Sequence, residues 1–209
     1  MPSPITADQP RLLLFPASLR RASHQRRLIA WLSEALAAGA LPAGWGIDIL
    51  APEEVALPLY NQDLEGDDDL RARLAPLHRR FAAACGFVIA TPEYNGHVPP
   101  LLKNTVDWLS RWPAIAGAAA NPFHGRPLLL ASASTGWTGG VLGLRDARSV
   151  FSYLGCLVSP AQICVCDAEN WLEDNRFHFD PGFDAWIRGH LADFTSLAAT
   201  LLAAQSNPS

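Results

Sequence analysis

A parallel β-sheet with helices on both faces is the fold class this sequence predicts, and three observations predict it. Short apolar runs at Leu12-Leu13-Leu14-Phe15, Phe87-Val88-Ile89-Ala90 and Pro127 to Ala133 show no polar alternation, as expected of strands covered on both faces. Each run empties into a loop rich in Ser, Asn, Gly or Pro. A stretch with helical spacing follows each loop, and strands alternating with helices imply a parallel sheet wound on both sides.

Taken in order, residues 1–10 are polar and Pro-rich and predict a flexible N-terminus ahead of a single domain over 11–205. Arg11 to Phe15 is the first strand, Pro16 to Gln25 a polar loop, and Arg26 to Leu41 a helix with Leu28, Ile29, Leu32 and Leu36 inward. Trp45 to Leu50 is the second strand, followed by an irregular piece through Leu57 to Leu64. Asp67-Asp68-Asp69 opens a helix to about Cys85, an acidic start that the macrodipole favours. The third strand, Phe87 to Ala90, breaks at Thr91-Pro92-Glu93-Tyr94-Asn95-Gly96, where Asn95-Gly96 predicts positive φ. Pro99-Pro100 then open a helix with apolar residues at 101, 102, 106 and 109. Pro127 to Ala133 is the fourth strand, Ser134 to Gly140 a Gly-rich loop, and a helix runs to about Leu154. Leu157 to Val165 holds a fifth strand interrupted by Pro160, and a last helix runs from Asp180, its cap, to Ala204.

Composition narrows the function classes. The chain has 209 residues, 49% hydrophobic and 17% charged, with net charge -4, which argues against a nucleic-acid footprint or an anionic membrane surface. No apolar run approaches the roughly 18 residues of a membrane span, so a cytoplasmic protein is expected. The four cysteines form no C-x-x-C pair, which predicts buried free thiols. The six histidines form no i, i+4 pair around a glutamate, so no metal site is expected.

The loops after the first, third and fourth strands carry the chemistry. If the sheet has the flavodoxin-like order, the first and third strands flank the switch point, and their loops face one crevice. The first loop offers Ser18, Ser23 and Gln25 as neutral donors, Arg20 as a cation and a helix N-terminus, a set suited to a phosphate monoester. The central loop offers amides and the Tyr94 ring, and the third offers small residues that let a flat ring approach the backbone. Phosphate at one end and a planar heterocycle at the other describe FMN.

The motif T-P-E-Y-N-G, followed by V-P-P-L-L-K-N-T-V-D-W-L-S-R, resembles the signature of the NADPH-dependent FMN reductase family, which includes quinone, azo-dye and chromate reductases. L-P-L-Y-N-Q-D-L-E at 57–65, S-L-R-R-A-S-H-Q at 18–25 and S-T-G-W-T-G-G at 134–140 resemble further family segments in order. The resemblance implies a flavodoxin-like three-layer sandwich with a five-stranded parallel sheet and non-covalent FMN. Ser18, Arg20, Ser23, His24 and Gln25 would hold the phosphate. Pro92, Glu93, Tyr94, Asn95 and Gly96 would line the isoalloxazine through their backbone. Ser134, Thr135, Gly136, Gly139 and Gly140 would cover its other edge, and Tyr94 and His97 would face the substrate. The sequence departs from the family pattern at Ala17, where Gly is usual, at Gln25, where Asn is usual, and at Val141-Leu142, where an arginine often stands.

The activity implied is hydride transfer from NADPH or NADH through FMN to a quinone, azo compound, free flavin or similar small acceptor, with no obligatory catalytic acid or base from the protein. An FMN-holding electron carrier or redox sensor that uses no NAD(P)H remains open, since fold does not fix function. A homodimer or tetramer is expected because Trp108 and Trp112 lie off the apolar stripe of Leu102, Val106 and Leu109, as an exposed pair.

Overall fold

The computed structural model describes residues 9–117 and 120–206; of the N-terminus expected to be flexible, residues 1–8 lie outside the described residues. The strands are β1 (Arg11–Pro16), β2 (Gly46–Ile49), β3 (Gly86–Ala90), β4 (Pro127–Ala133) and β5 (Leu157–Val165). They pair in the order β2-β1-β3-β4-β5, every pair parallel, which is the flavodoxin-like order with its switch point between β1 and β3. The helices are α1 (His24–Ala35), α2 (Asp68–Ala83), α3 (Pro100–Ala116), α4 (Val141–Tyr153) and α5 (Pro181–Ser206).

The apolar runs are explained by two cores. Leu12, Leu14, Val88, Leu129 and Ala131 pack with Leu28, Ile29 and Leu32 of α1 and with Ile187, Leu191 and Phe194 of α5. Leu13, Phe15, Phe87, Ile89, Leu128 and Leu130 pack on the opposite face against α2, α3 and α4. Alternate side chains thus point to opposite faces and both faces are dry, so no polar alternation survives.

Three details differ from the expectation. Helix α1 starts two residues earlier than expected, because the Ser23 hydroxyl oxygen caps it by accepting from the Arg26 amide at 3.3 Å. His24 and Gln25 are therefore buried in a first helical turn. Pro160 does not interrupt β5. The strand passes through it with a register shift opposite Leu128 and Leu130, tolerable because β5 is an edge, and Arg148 Nη2 donates to the Ser159 carbonyl there at 2.7 Å.

A hairpin of β6 (Leu172–Glu173) and β7 (Arg176–Phe177) was not expected at all. Asp174 and Asn175 both have positive φ between these strands, the conformation a type I′ turn needs and that Asp and Asn tolerate.

The exposed tryptophan pair is also corrected. Trp108 is fully buried with Leu70 and Leu74, and Trp112 is partly buried against them. The irregular 57–64 segment covers them. Pro58 accepts from Trp108 Nε1 at 2.8 Å, and the Asn104 amide pairs with Leu57, Pro58 and Tyr60 backbone.

Candidate active site

Polar side chains are buried together at the carboxyl ends of β1, β3 and β4: Ser18, Ser23, His24, Gln25, Thr91 and Ser132. A sheet core has little reason to hold so many, since each must find partners or go unsatisfied. The Ala17 amide donates to Ala90 at 2.8 Å and the Thr91 amide to Ala131 at 2.9 Å, so each loop begins pinned to the next strand.

In the first loop Ser18 turns back to Pro16 and Ser23 to Arg20, leaving Arg20 exposed. No hydrogen bond or ion pair engages its guanidinium among the described residues. The first amides of α1 open beside it, a ready anion site. His24 Nδ1 is buried without a partner. Burial, helped by the charges of Arg20 and Arg27, holds its pKa below the ordinary value of 6.5.

The neutral ring is thus favoured in the fold, and its contribution is complete above pH 6.5 and lost as pH falls toward the lowered value. The flavin-free wild type should lose melting temperature between pH 7 and pH 5.5 more steeply than His24→Gln. Parallel melting curves for the two chains would remove His24 from this account.

The Gln25 side chain is engaged within the protein, which leaves only its backbone amide for a phosphate. Its Nε2 donates to the Ala133 carbonyl at 2.8 Å and its Oε1 accepts from the Ala133 amide at 3.2 Å, so its side chain fastens α1 to the end of β4. Ala17, the other departure in this loop, fits fully buried.

The central loop is a two-residue hairpin. Tyr94 and His97 exchange backbone hydrogen bonds at 3.0 and 3.1 Å across Asn95 and Gly96, whose φ values are 53° and 79°. Positive φ at both positions defines a type I′ turn, for which Asn-Gly is the preferred pair. This arrangement withdraws the Tyr94 amide from any ligand, a correction, while the amides of Asn95 and Gly96 keep no partner among the described residues. The Tyr94 ring is half exposed, and His97 pairs through Nδ1 with Asp146 of α4.

One oxygen of the Glu93 carboxylate is turned to the protein. Its Oε2 accepts from the amides of Leu142 and Gly143 at 2.9 and 3.0 Å, capping α4 from another loop. Gly143 permits this approach, since a Cβ there would lie 3.2 Å from the Glu93 backbone and from the His97 carbonyl. Glu93→Gln keeps an acceptor for both amides and should stay near wild type in melting temperature and flavin retention. Glu93→Ala leaves them bare and should cost about 1.5–3 kcal/mol. Denaturant unfolding of both variants checks this, and equal stabilities would refute the capping role.

The third loop bends over β4. Ser134 Oγ accepts from the Gly136 amide at 3.1 Å, and Gly136 accepts from Gly139 at 3.2 Å. Thr135 and Gly136 are exposed, while Gly139 and Gly140 are buried. Gly140 has φ of 86°, and a Cβ on it would fall 2.1 Å from Ser132 Oγ, itself buried without a hydrogen-bond partner.

Residues 10–170 match the family model described as NADPH-dependent FMN reductase. The chain belongs to that family. Among its relatives, a quinone reductase of Escherichia coli K12 is 35% identical over 117 residues, 56% of this chain and 58% of that protein. The chain thus matches under two thirds of that relative's length. A 2-hydroxy-1,4-benzoquinone reductase of Burkholderia sp. is 33% identical over 191 residues, 85% of this chain and 96% of the relative. The solved structure of FerB, a flavoenzyme NAD(P)H:(acceptor) oxidoreductase from Paracoccus denitrificans, shares the fold with a TM-score of 0.74 at 22% identity, covering 92% of this chain and 98% of FerB.

The family's cofactor is FMN, and the site fits it on three local observations. Arg20, unpaired among the described residues, stands by open helix amides, the amides of Asn95 and Gly96 keep no partner there, and Ser132 Oγ lies buried beside Gly140 without a hydrogen-bond partner. Ser132, Gly143, Asn104 and Asp146 were not singled out in the sequence. Gly143 alone carried a signal, because glycine inside a helix is costly and marks a close approach.

Proposed function

We propose that this chain is an FMN-dependent NAD(P)H oxidoreductase that passes reducing equivalents to a quinone, azo compound, free flavin or similar small acceptor. The observation that carries the reading is the joining of all three loops at the switch point, by Gln25 to Ala133 and by Glu93 to α4. The names of its relatives, with family membership, support the acceptor class.

FMN, when bound, supplies hydride acceptance and donation. The chain's part is to bind and orient it. Ser18, Arg20, Ser23 and His24 with the α1 amides hold the phosphate, and Pro92, Glu93, Asn95 and Gly96 bring backbone to the ring. Ser134, Thr135, Gly136, Gly139 and Gly140 close its other edge, while Tyr94 and His97 flank the substrate. No side chain is assigned as an obligatory acid or base.

We place the enzyme in the cytoplasm; no helix of the described residues is long and apolar enough to cross a membrane. Exposed Trp137, Leu142 and Tyr153 support a homodimer or tetramer in place of the buried tryptophan.

The visible spectrum of purified protein, followed by anaerobic NADPH and then a benzoquinone, tests the reading. A yellow protein that bleaches and recovers its colour supports it, and a protein that retains no FMN refutes it. Arg20→Ala should weaken FMN binding roughly ten-fold, the worth of a charge-assisted bond. Affinity unchanged across a salt series would free this loop of the phosphate.

A further inference from the structure

Cys164 and Cys166 sit at the carboxyl end of β5, one residue apart. Both are partly exposed, whereas Cys85 and Cys156 are buried, so the expectation of four buried thiols holds for only two of them. The side chains converge: a Cβ placed on Gly139 would lie 3.0 Å from Cys166 Sγ and 3.1 Å from Cys164 Cβ. Both thiols line one open cavity of about 450 Å³ beside Trp171 and Phe183. Their backbone is bonded to the third loop on each side. Val165 accepts from Ser134 at 3.0 Å, Asp167 donates to Gly136 at 3.3 Å and Ala168 donates to Ser134 at 2.9 Å.

We infer that Cys164 and Cys166 form a reversible dithiol–disulfide pair, oxidised by hydroperoxides, whose closure loosens the Ser134–Gly140 loop. The loop's role at the flavin rests on the reductase reading; the thiol chemistry does not. Cys166 attacks first, because burial, the neighbouring Cys166 and Glu93 push the Cys164 thiol up to about 11 and keep it protonated. A sulfur–oxygen bond forms at Cys166, the peroxide O–O bond breaks, and the departing oxygen leaves as water or alcohol with the Cys166 proton. The Cys164 sulfur then attacks the sulfenic sulfur. The S–S bond forms, the S–O bond breaks, and hydroxide leaves with the Cys164 proton as water. The two thiols give up two electrons and the peroxide takes them.

Geometry makes this a labile bridge that moves the loop. Cα atoms two residues apart in a strand are about 6.6 Å apart, near the roughly 6.8 Å upper limit for a disulfide. Closing the bridge draws the strand end inward at the turn where Asp167 already holds φ of 45°. That motion pulls on the three backbone bonds to the third loop. Strained, accessible disulfides are the readily reduced ones.

The experiment treats the full chain, with and without FMN, with hydrogen peroxide, then maps thiols by alkylation and peptide mass. Two of the four thiols should be lost as a Cys164–Cys166 disulfide that dithiothreitol reverses, with Cys85 and Cys156 as unreacted internal controls. The Kd for FMN should rise roughly threefold to tenfold on oxidation, the worth of about one net backbone hydrogen bond, and return on reduction. Cys166→Ser should show neither change. Sulfinic acid without a disulfide, a disulfide that leaves Kd unchanged, or equal FMN loss in oxidised Cys166→Ser overturns the inference. Reduced chain with no affinity for FMN refutes the reductase reading and with it the coupling to flavin, while the mapping still decides the thiol pair.

Discussion

Gly140→Ala should lower flavin retention and melting temperature together. The left-handed backbone at Gly140 costs a side-chain-bearing residue about 1–2 kcal/mol. The new methyl would also lie 2.1 Å from Ser132 Oγ and 2.9 Å from Ser132 Cβ. Ser132 is on β4, in the middle of a sheet that cannot retreat, so the third loop must lift instead. Overpacking of this kind typically adds about 1–3 kcal/mol. At about 2–4 °C per kcal/mol for a chain of this size, the melting temperature should fall by roughly 5–15 °C.

Gly96→Ala is the control. Its φ is 79°, but a Cβ there meets only Leu142 Cδ1 at 3.8 Å, so it bears the backbone cost alone. Ser132→Gly added to Gly140→Ala should recover the packing share and not the backbone share. If Gly140→Ala melts with the wild type and keeps its FMN, the loop does not close over Ser132 as described.

Trp108→Ala should be the most destabilising single change in the α2–α3 layer. The ring is fully buried, and emptying such a site costs about 3–5 kcal/mol, or roughly 10 °C of melting temperature or more. The Pro58 carbonyl stays satisfied by Asn104 Nδ2 at 2.9 Å, so the loss is one of packing. Trp108→Phe should therefore recover most of it. A Trp108→Ala chain as stable as wild type would mean that the 57–64 segment does not depend on this ring. An oligomer that falls apart with its monomers still folded would restore the idea of an interface tryptophan.

The fold was legible because its evidence is local. Apolar runs without alternation, turn residues after each and helical spacing beyond them fix a parallel sheet, and Asn95-Gly96 announces its turn by residue type. The Asp180 cap was legible likewise: its Oδ1 accepts from Gly182 and Phe183 at 2.9 and 3.0 Å.

What stayed hidden depends on partners distant in sequence. Nothing near Gln25 says that its amide reaches Ala133, 108 residues on. Nothing near Glu93 says that it caps a helix starting at Val141. Trp108 misled because helical spacing describes one face turned to the sheet, whereas α3 also buries a second face beneath the 57–64 segment. The β6–β7 hairpin has only two residues per strand, too few for any period to show.

The strand order also bears on how the chain reaches its fold. β1 lies between β2 and β3, paired with Gly46 to Ile49 on one side and Gly86 to Ala90 on the other. Neither neighbour is close in sequence, and such non-local pairings form slowly. During synthesis Leu12-Leu13-Leu14-Phe15 therefore emerges long before its second neighbour exists, an apolar β-forming segment with nothing to cover it. Such segments are where nascent chains stick to one another. The expected place for chaperone contact and for aggregation on the ribosome is thus the first strand, whose Leu12, Leu13, Leu14 and Phe15 end fully buried.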